Sequence, residues 1–256
     1  MRKILIPAAL AIVLVSAPAA AKSEDSPFEG FYLGVNGGVT WSDSTATAVL
    51  TPTSTAPVVN PLITSGNITA INSNTDFNSK HHTGFTGGLE GGYNWVGYHG
   101  LLIGLETDFN IYDITGSRNE TVTTATTPAV TYTLMHKVDT NWLWTVRPRV
   151  GYAGGDFAAF LTGGLAISDL KYNAEFTDSS TPGNNIFIDH NKTKTGWTIG
   201  AGAAYAFGAI SLKGEYLFQN YGHDHLNTNS ANGFYNLEAD AHLKSHLFRA
   251  GLDYNF

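Results

Sequence analysis

Cysteine is missing from all 256 residues, so no disulfide framework and no thiolate metal site is available to this chain. Charge is scarce, at 14% of residues, and the balance is acidic, with 14 Lys and Arg against 21 Asp and Glu. No basic stripe is present, which excludes a nucleic-acid-binding surface. Long apolar runs are also missing, apart from one at the very start. There, "MRK" is followed by the apolar run 4–15 and by Ala19, Ala20 and Ala21. That order of basic, apolar and small residues predicts a secretory signal peptide over 1–21. No cysteine follows it, so a lipidated N-terminus is not expected. Helical periodicity is absent from the remainder.

What the chain does have is glycine, 28 residues, and aromatic residues, 12% of the total. They fall into segments that alternate with period two. In "HLFRAGLDYNF" the even positions carry Phe248, Ala250, Leu252, Tyr254 and Phe256, and the odd ones carry Leu247, Arg249, Gly251 and Asp253. Comparable alternation occurs over 31–41, 85–95, 101–111, 138–152, 157–169, 197–207 and 210–218, which makes eight segments. Each has the roughly 9–11 residues that a tilted strand needs to cross a bilayer. "VGYHG", "AGGD" and "GA" join them at one end. At the other end lie four long stretches near 42–82, 114–136, 171–193 and 219–243, rich in Thr, Ser, Asn and Pro. Short turns at one end and long connections at the other predict an all-β, eight-stranded, antiparallel up-and-down transmembrane barrel with four long extracellular loops. Its expected divisions are the signal peptide, a short periplasmic segment over 22–29 and the barrel over 30–256. Lipid offers no partners for backbone N–H and C=O groups, so the sheet must close on itself. Aromatic residues at both ends of the segments, such as Tyr93, Tyr152 and Tyr254 against Trp41, Phe109 and Trp197, suit two interfacial girdles. A soluble barrel of the lipocalin kind would turn its apolar faces inward and needs no such girdles.

The opposite face of the same segments carries the charge. Glu90, Glu106, Asp108, Asp139, Arg147, Arg149, Lys213, Glu215, Arg249 and Asp253 all fall on the expected lumen side. Counted from the short-turn end, Glu90, Glu106, Arg147, Glu215 and Arg249 share one level, with Arg149, Lys213 and Asp253 below. Hairpin neighbours predict the pairs Glu106 with Arg147, Glu215 with Arg249 and Lys213 with Asp253. An eight-stranded barrel has an interior just wide enough for side chains. The charges are therefore expected to plug the lumen, with a selective small-solute pore as the alternative.

The fragments "FEGFYLGVNGGVTW", "GFTGGLEGGYNW", "WLWTVRPRVGYA", "TGWTIGAGAAYAFGAISLKGEYLFQNYG" and "HLFRAGLDYNF", in that order, resemble porin-family outer-membrane barrels of the opacity-protein type, in particular small surface antigens of alphaproteobacteria. The resemblance covers the strands and none of the long connections. It implies location in the outer membrane of a Gram-negative bacterium and roles in envelope integrity, surface recognition, small-solute passage or haemin binding. The terminal aromatic resembles the signal read by the barrel assembly machinery. Pro148 departs from the family pattern and removes a ladder donor, so a bulge is expected there.

Eight of the nine histidines lie in or beside the long connections. Neutral imidazole at an outer mouth can ligate haem iron or a metal, and the pairs His81 with His82 and His223 with His225 are the candidates. No cofactor is otherwise expected. Ser245 and His246 are adjacent on a strand and point to opposite faces, and no nucleophile, base and orienter can be assembled, so an enzyme is not expected. The expected partners are outer-membrane lipid and lipopolysaccharide, the assembly machinery, and host, phage or envelope components at the loops.

Overall fold

A computed structural model describes residues 26–52, 76–123, 131–179, 186–229 and 235–256, together with Thr69 and Asn72. The signal peptide expected over 1–21 lies outside the described residues. Eight antiparallel strands follow in chain order: β1 Gly30–Pro52, β2 Asp76–Val96, β3 Leu101–Thr123, β4 Thr131–Gly154, β5 Phe157–Asp178, β6 Ile186–Phe207, β7 Ile210–Asn229 and β8 Tyr235–Asn255. Each pairs with its neighbours in sequence, and β1 pairs with β8 to close the barrel. The closing ladder runs from Tyr32 opposite Asn255 to Pro52 opposite Tyr235. It is extended by the Phe256 amide, which donates to the Phe31 carbonyl at 2.9 Å.

The C-terminal strand shows how sequence parity becomes a two-faced wall. Phe248, Leu252 and Tyr254 are 54%, 53% and 51% exposed, whereas Leu247, Arg249 and Asp253 between them are buried. The outward set is left exposed because its solvent is lipid. Aromatic pairs band both ends of the outer surface. Phe31 lies edge-on to Tyr93 and Tyr254 edge-on to Phe256 near the short turns. Phe109 stacks on Trp142, and Trp197 packs on Phe218, near the far end.

The short turns form as their sequences dictate. Gly155 and Gly208 have φ of +59° and +67° in the two-residue turns after β4 and β6. Right-twisted hairpins need this conformation, and glycine adopts it without steric cost. Between β2 and β3 a short 3-10 turn, Tyr98–Gly100, does the same work, with His99 at φ 61°.

At the opposite end the strands differ from expectation. The alternating segments were each expected to stop after about a dozen residues, but the strands are 20 to 24 residues long. Much of the four stretches expected as loops is therefore strand. Beyond the outer girdle the strands leave the bilayer, so the contrast between lipid on one side and packed protein on the other disappears, and the period-two signal with it. Threonine and its β-branched neighbours still favour extended backbone there.

Pro148 also differs. The β4–β5 register is the same on both sides of it, with Val146 opposite Leu165 and Arg149 opposite Thr162. The irregularity lies further up β4, between Asp139 and Leu143. Pro148 faces lipid, its carbonyl accepts a 3.1 Å bond from the Thr162 hydroxyl, and the ladder runs past it without an extra residue.

Candidate functional site: the lumen

Inward-facing residues fill the barrel in three levels. At the short-turn end, Phe28 folds under the wall and is buried among Leu102, Ala153, Ala158, Ala204 and Ala206. Its carbonyl accepts a 3.0 Å bond from Asn94 Nδ2. The segment expected to be periplasmic over 22–29 thus places one aromatic ring inside the barrel mouth.

The middle level is the charge cluster. Glu90, Glu106, Asp108, Arg147, Arg149, Lys213, Glu215, Arg249 and Asp253 are all buried there. The three expected hairpin pairs are present: Arg147 to Glu106 at 2.5 Å, Arg249 to Glu215 at 2.6 Å and Lys213 to Asp253 at 3.7 Å. The two expected levels, however, are one network. Lys213 is long enough to reach up to Glu90 and Glu106, both at 2.8 Å. Arg149 reaches Glu106 at 3.0 Å. Glu106 is the hub, and it also accepts a 2.6 Å bond from the Tyr32 hydroxyl and faces Arg249 at 3.1 Å.

Arg147 is wholly enclosed. It binds Glu106, Asp108 at 2.9 Å and Glu215 at 2.8 Å, and its Nε donates to Thr145 at 3.0 Å. A planar guanidinium with five donors can serve three carboxylates from two other strands in a way that an ammonium cannot. Arg149 lies between the rings of Tyr32 and Phe160, 4.5 and 4.9 Å from their centroids. Cation–π contact therefore takes up the part of its charge that faces the lower level.

The upper level was not anticipated. Tyr112, Leu143, Ala166, Leu217, Tyr221 and Leu247 form a buried apolar layer. A belt of hydroxyls threads it: Thr40 binds Tyr112 at 2.9 Å and Ser245 at 3.0 Å, and Tyr112 also binds Ser245. The parity of β8, which puts Leu247 on the face of Arg249, was the available signal. Phe28 had none, because it precedes every alternating segment.

Asp139 corrects the sequence reading. It is not in the lumen network but pairs with Lys137 at 2.7 Å. The irregularity in β4 reverses parity, so Thr140 and Leu143 both point inward and Asp139 falls on the other face. Asp169 of β5 caps that irregularity. Its carboxylate accepts from the Asn141 and Trp142 amides at 2.8 and 3.1 Å, and from Asn141 Nδ2 at 2.6 Å.

The histidine candidates are spread over the wall. His223 and His225 are exposed on β7, while His81 and His82 are successive residues of β2, and β8 and β1 lie between the two strands. No group of three or more His, Asp or Glu suited to a metal ion occurs among the described residues. Ser245 and His246 do point apart: Ser245 enters the hydroxyl belt, and His246 Nδ1 meets the Tyr216 hydroxyl at 2.7 Å and stacks under Trp41 on the outer wall.

A closed antiparallel barrel with a lipid-facing apolar wall and a charged interior is an outer-membrane protein of a Gram-negative bacterium. Residues 8–256 match the family model of the outer membrane protein beta-barrel domain, and the chain belongs to that family. It is 35% identical over 175 residues to the 31 kDa outer-membrane immunogenic protein of Brucella melitensis, covering 68% of this chain and 67% of that one. It is 32% identical over 150 residues to the 22 kDa outer membrane protein of Rhizobium leguminosarum, covering 57% of each. Among solved structures, the outer membrane protease OmpT of Escherichia coli aligns over 93% of this chain and 100% of its own, at 10% identity and a TM-score of 0.46.

Proposed function

We propose that this protein is a structural and surface-interaction component of the outer membrane, with a plugged lumen and a recognition surface formed by its raised extracellular wall. One observation carries the reading: the strands continue well past the outer aromatic girdle. In β1, residues 42–52 follow Trp41, and in β4, residues 131–141 precede Trp142. About ten residues of strand, tilted as barrel strands are, raise the wall by roughly 25 Å. A stable bilayer crossing does not need that extension. A polar, Thr- and Asn-rich wall held by cross-strand hydrogen bonds presents a preorganised surface and loses little entropy when a partner binds. The partners of such a surface are host, phage or envelope components, with lipopolysaccharide around its base.

The filled lumen favours the plug over the small-solute pore. Three successive levels of buried side chains support that reading.

The test replaces the raised part of β7 and β8, residues 223–242, with a two-residue hairpin turn. Cells carrying the variant are expected to assemble the barrel at normal levels and to lose binding of the partner or of surface-directed antibodies. Loss of assembly, or unchanged surface binding with all four hairpins shortened in turn, refutes the proposal. Single-channel recording of the refolded wild type is expected to show no steady conductance. Regular ion-selective steps would favour the pore.

A further inference from the structure

The lumen charges do not balance. Five carboxylates (Glu90, Glu106, Asp108, Glu215 and Asp253) face four cations (Arg147, Arg149, Lys213 and Arg249). The surplus can be traced to one place. Glu90 on β2 and Asp253 on β8 both lie opposite Gly34 of β1, from its two sides. Gly34 has no side chain to keep them apart: a Cβ there would run into the Asp253 carboxylate and the Leu252 carbonyl. A second glycine, Gly251, leaves the space that the Glu90 carboxylate occupies. The Glu90 carboxylate thus leans across β1 onto β8, the strand that carries Asp253, with only glycine between the two side chains.

Their oxygens are poorly served. Asp253 Oδ1 is buried and accepts no hydrogen bond. Glu90 Oε1 is buried as well and has the Lys213 ammonium beside it. Asn36 gives Glu90 one amide bond, at 3.1 Å to the other oxygen. The nearest cation, Lys213, sits 2.8 Å from Glu90 but 3.7 Å from Asp253, and it is shared with Glu106. Arg249 stands 3.5 Å from Glu90, already bound to Glu215. Arg149 of β4 is committed to Glu106, and Tyr32 of β1 donates to that same residue. β5 and β6 bring no charged group to this level of the lumen.

We propose that Glu90 and Asp253 form a proton-binding site, an acid pair that shares one proton across Gly34. One proton removes both defects together. It cancels the single surplus charge, and it turns two facing acceptors into a donor and an acceptor. Two carboxylates in contact in a water-poor site otherwise repel each other strongly. Asp253 also lines the narrow cleft at the short-turn end, with Phe28, Asn94 and Asn255, which gives the proton a route to the periplasmic side. The plug is then proton-linked. Folding takes up a proton, so stability falls as pH rises, until the folded pair also ionises.

The experiment uses the refolded full barrel in detergent micelles. Infrared spectra of the wild type at neutral pH are expected to contain a protonated-carboxyl band that exchanges in D2O and vanishes at alkaline pH. Glu90→Gln and Asp253→Asn are each expected to abolish it, because either amide takes over the donor role and leaves the other residue ionised. In parallel, the folded-to-unfolded ratio of the wild type falls by up to tenfold per pH unit above about pH 5, and this slope is lost in both variants. Absence of the band in the wild type overturns the proposal, and this readout does not depend on either variant folding. Loss of the band in only one variant shows a lone buried acid and also overturns it. A stability that instead rises with Na+ or K+ at constant ionic strength assigns the site to a cation. The inference uses the closed lumen of the proposed function: steady conductance with the band present would refute the plug and leave the pair standing.

Discussion

Replacing Arg147 with methionine tests the middle level most directly. Methionine keeps much of the length and apolar volume of the side chain and removes the charge and all five donors. Arg147 has no solvent exposure, and it holds Glu106, Asp108 and Glu215 within 2.9 Å. The substitution therefore leaves three buried carboxylates with only the cations they already share. Arg249 is already bound to Glu215 and faces Glu106 and Asp108, so it cannot take over all three carboxylates. Breaking one partner out of a buried ion cluster costs about 3–5 kcal/mol, because the uncompensated charge stays desolvated. The expected loss is at the upper end of that range, since three carboxylates each lose a partner rather than one.

Equilibrium unfolding in urea, in lipid vesicles, with tryptophan fluorescence as the signal, measures the loss. Two controls separate this mechanism from mere repacking. Adding Glu215→Gln to Arg147→Met should recover a substantial part of the loss, because it removes one of the stranded charges. The loss should also be nearly independent of salt, because counter-ions screen exposed pairs and not enclosed ones. A loss below about 1 kcal/mol, the scale of an exposed pair, would refute the reasoning. So would a loss that disappears in concentrated salt.

Other levels make their own predictions. Phe28→Gly removes the ring beneath the alanine layer, and it should let a small periplasmic-side probe reach the cleft at Asp253, read as faster hydrogen exchange of Asn94 and Asn255, without changing assembly. Gly34→Ala brings a methyl group against the Leu252 carbonyl at 2.5 Å and should destabilise the barrel by about 1–3 kcal/mol in the same urea assay, as overpacked sites do. Asp169→Ala strips the cap from the irregularity in β4 and should cost about 1–3 kcal/mol, with faster exchange of the Asn141 and Trp142 amides as its local signature.

What could be read from the sequence follows from how each face is solvated. Within the bilayer every strand has lipid on one side and packed protein on the other, so alternation marks it and parity assigns its charges. That is why Arg249 with Glu215 and Arg147 with Glu106 could be paired before any coordinates. Parity fails where the chain inserts a residue. Nothing in "VDTNWLW" announces that Thr140 and Leu143 face the same way, and Asp139 was misplaced for that reason. Reach also escapes a residue count: Lys213 starts a level lower and ends beside Glu90 because four methylenes span the gap. The raised wall was hidden because outside the bilayer the contrast that defines a strand in lipid is lost.

The charges also have a use that a filled lumen alone does not require. A barrel with an apolar interior would pack, but its strands could not distinguish lumen from lipid. A one-residue slip would then exchange two equivalent faces. With Arg147 and Arg149 on β4, the same slip drives both guanidiniums into the bilayer, at about 2–4 kcal/mol each near the midplane, and strands their carboxylates inside. Pairs that contribute little net stability over an apolar core can thus still decide register, strand by strand. If so, an interior with all nine charges replaced by apolar residues of similar volume should insert and collapse, yet show multiple registers in the exchange pattern of β4 and β8. A single, wild-type-like register in that variant would show that the short turns and aromatic girdles alone set the alignment.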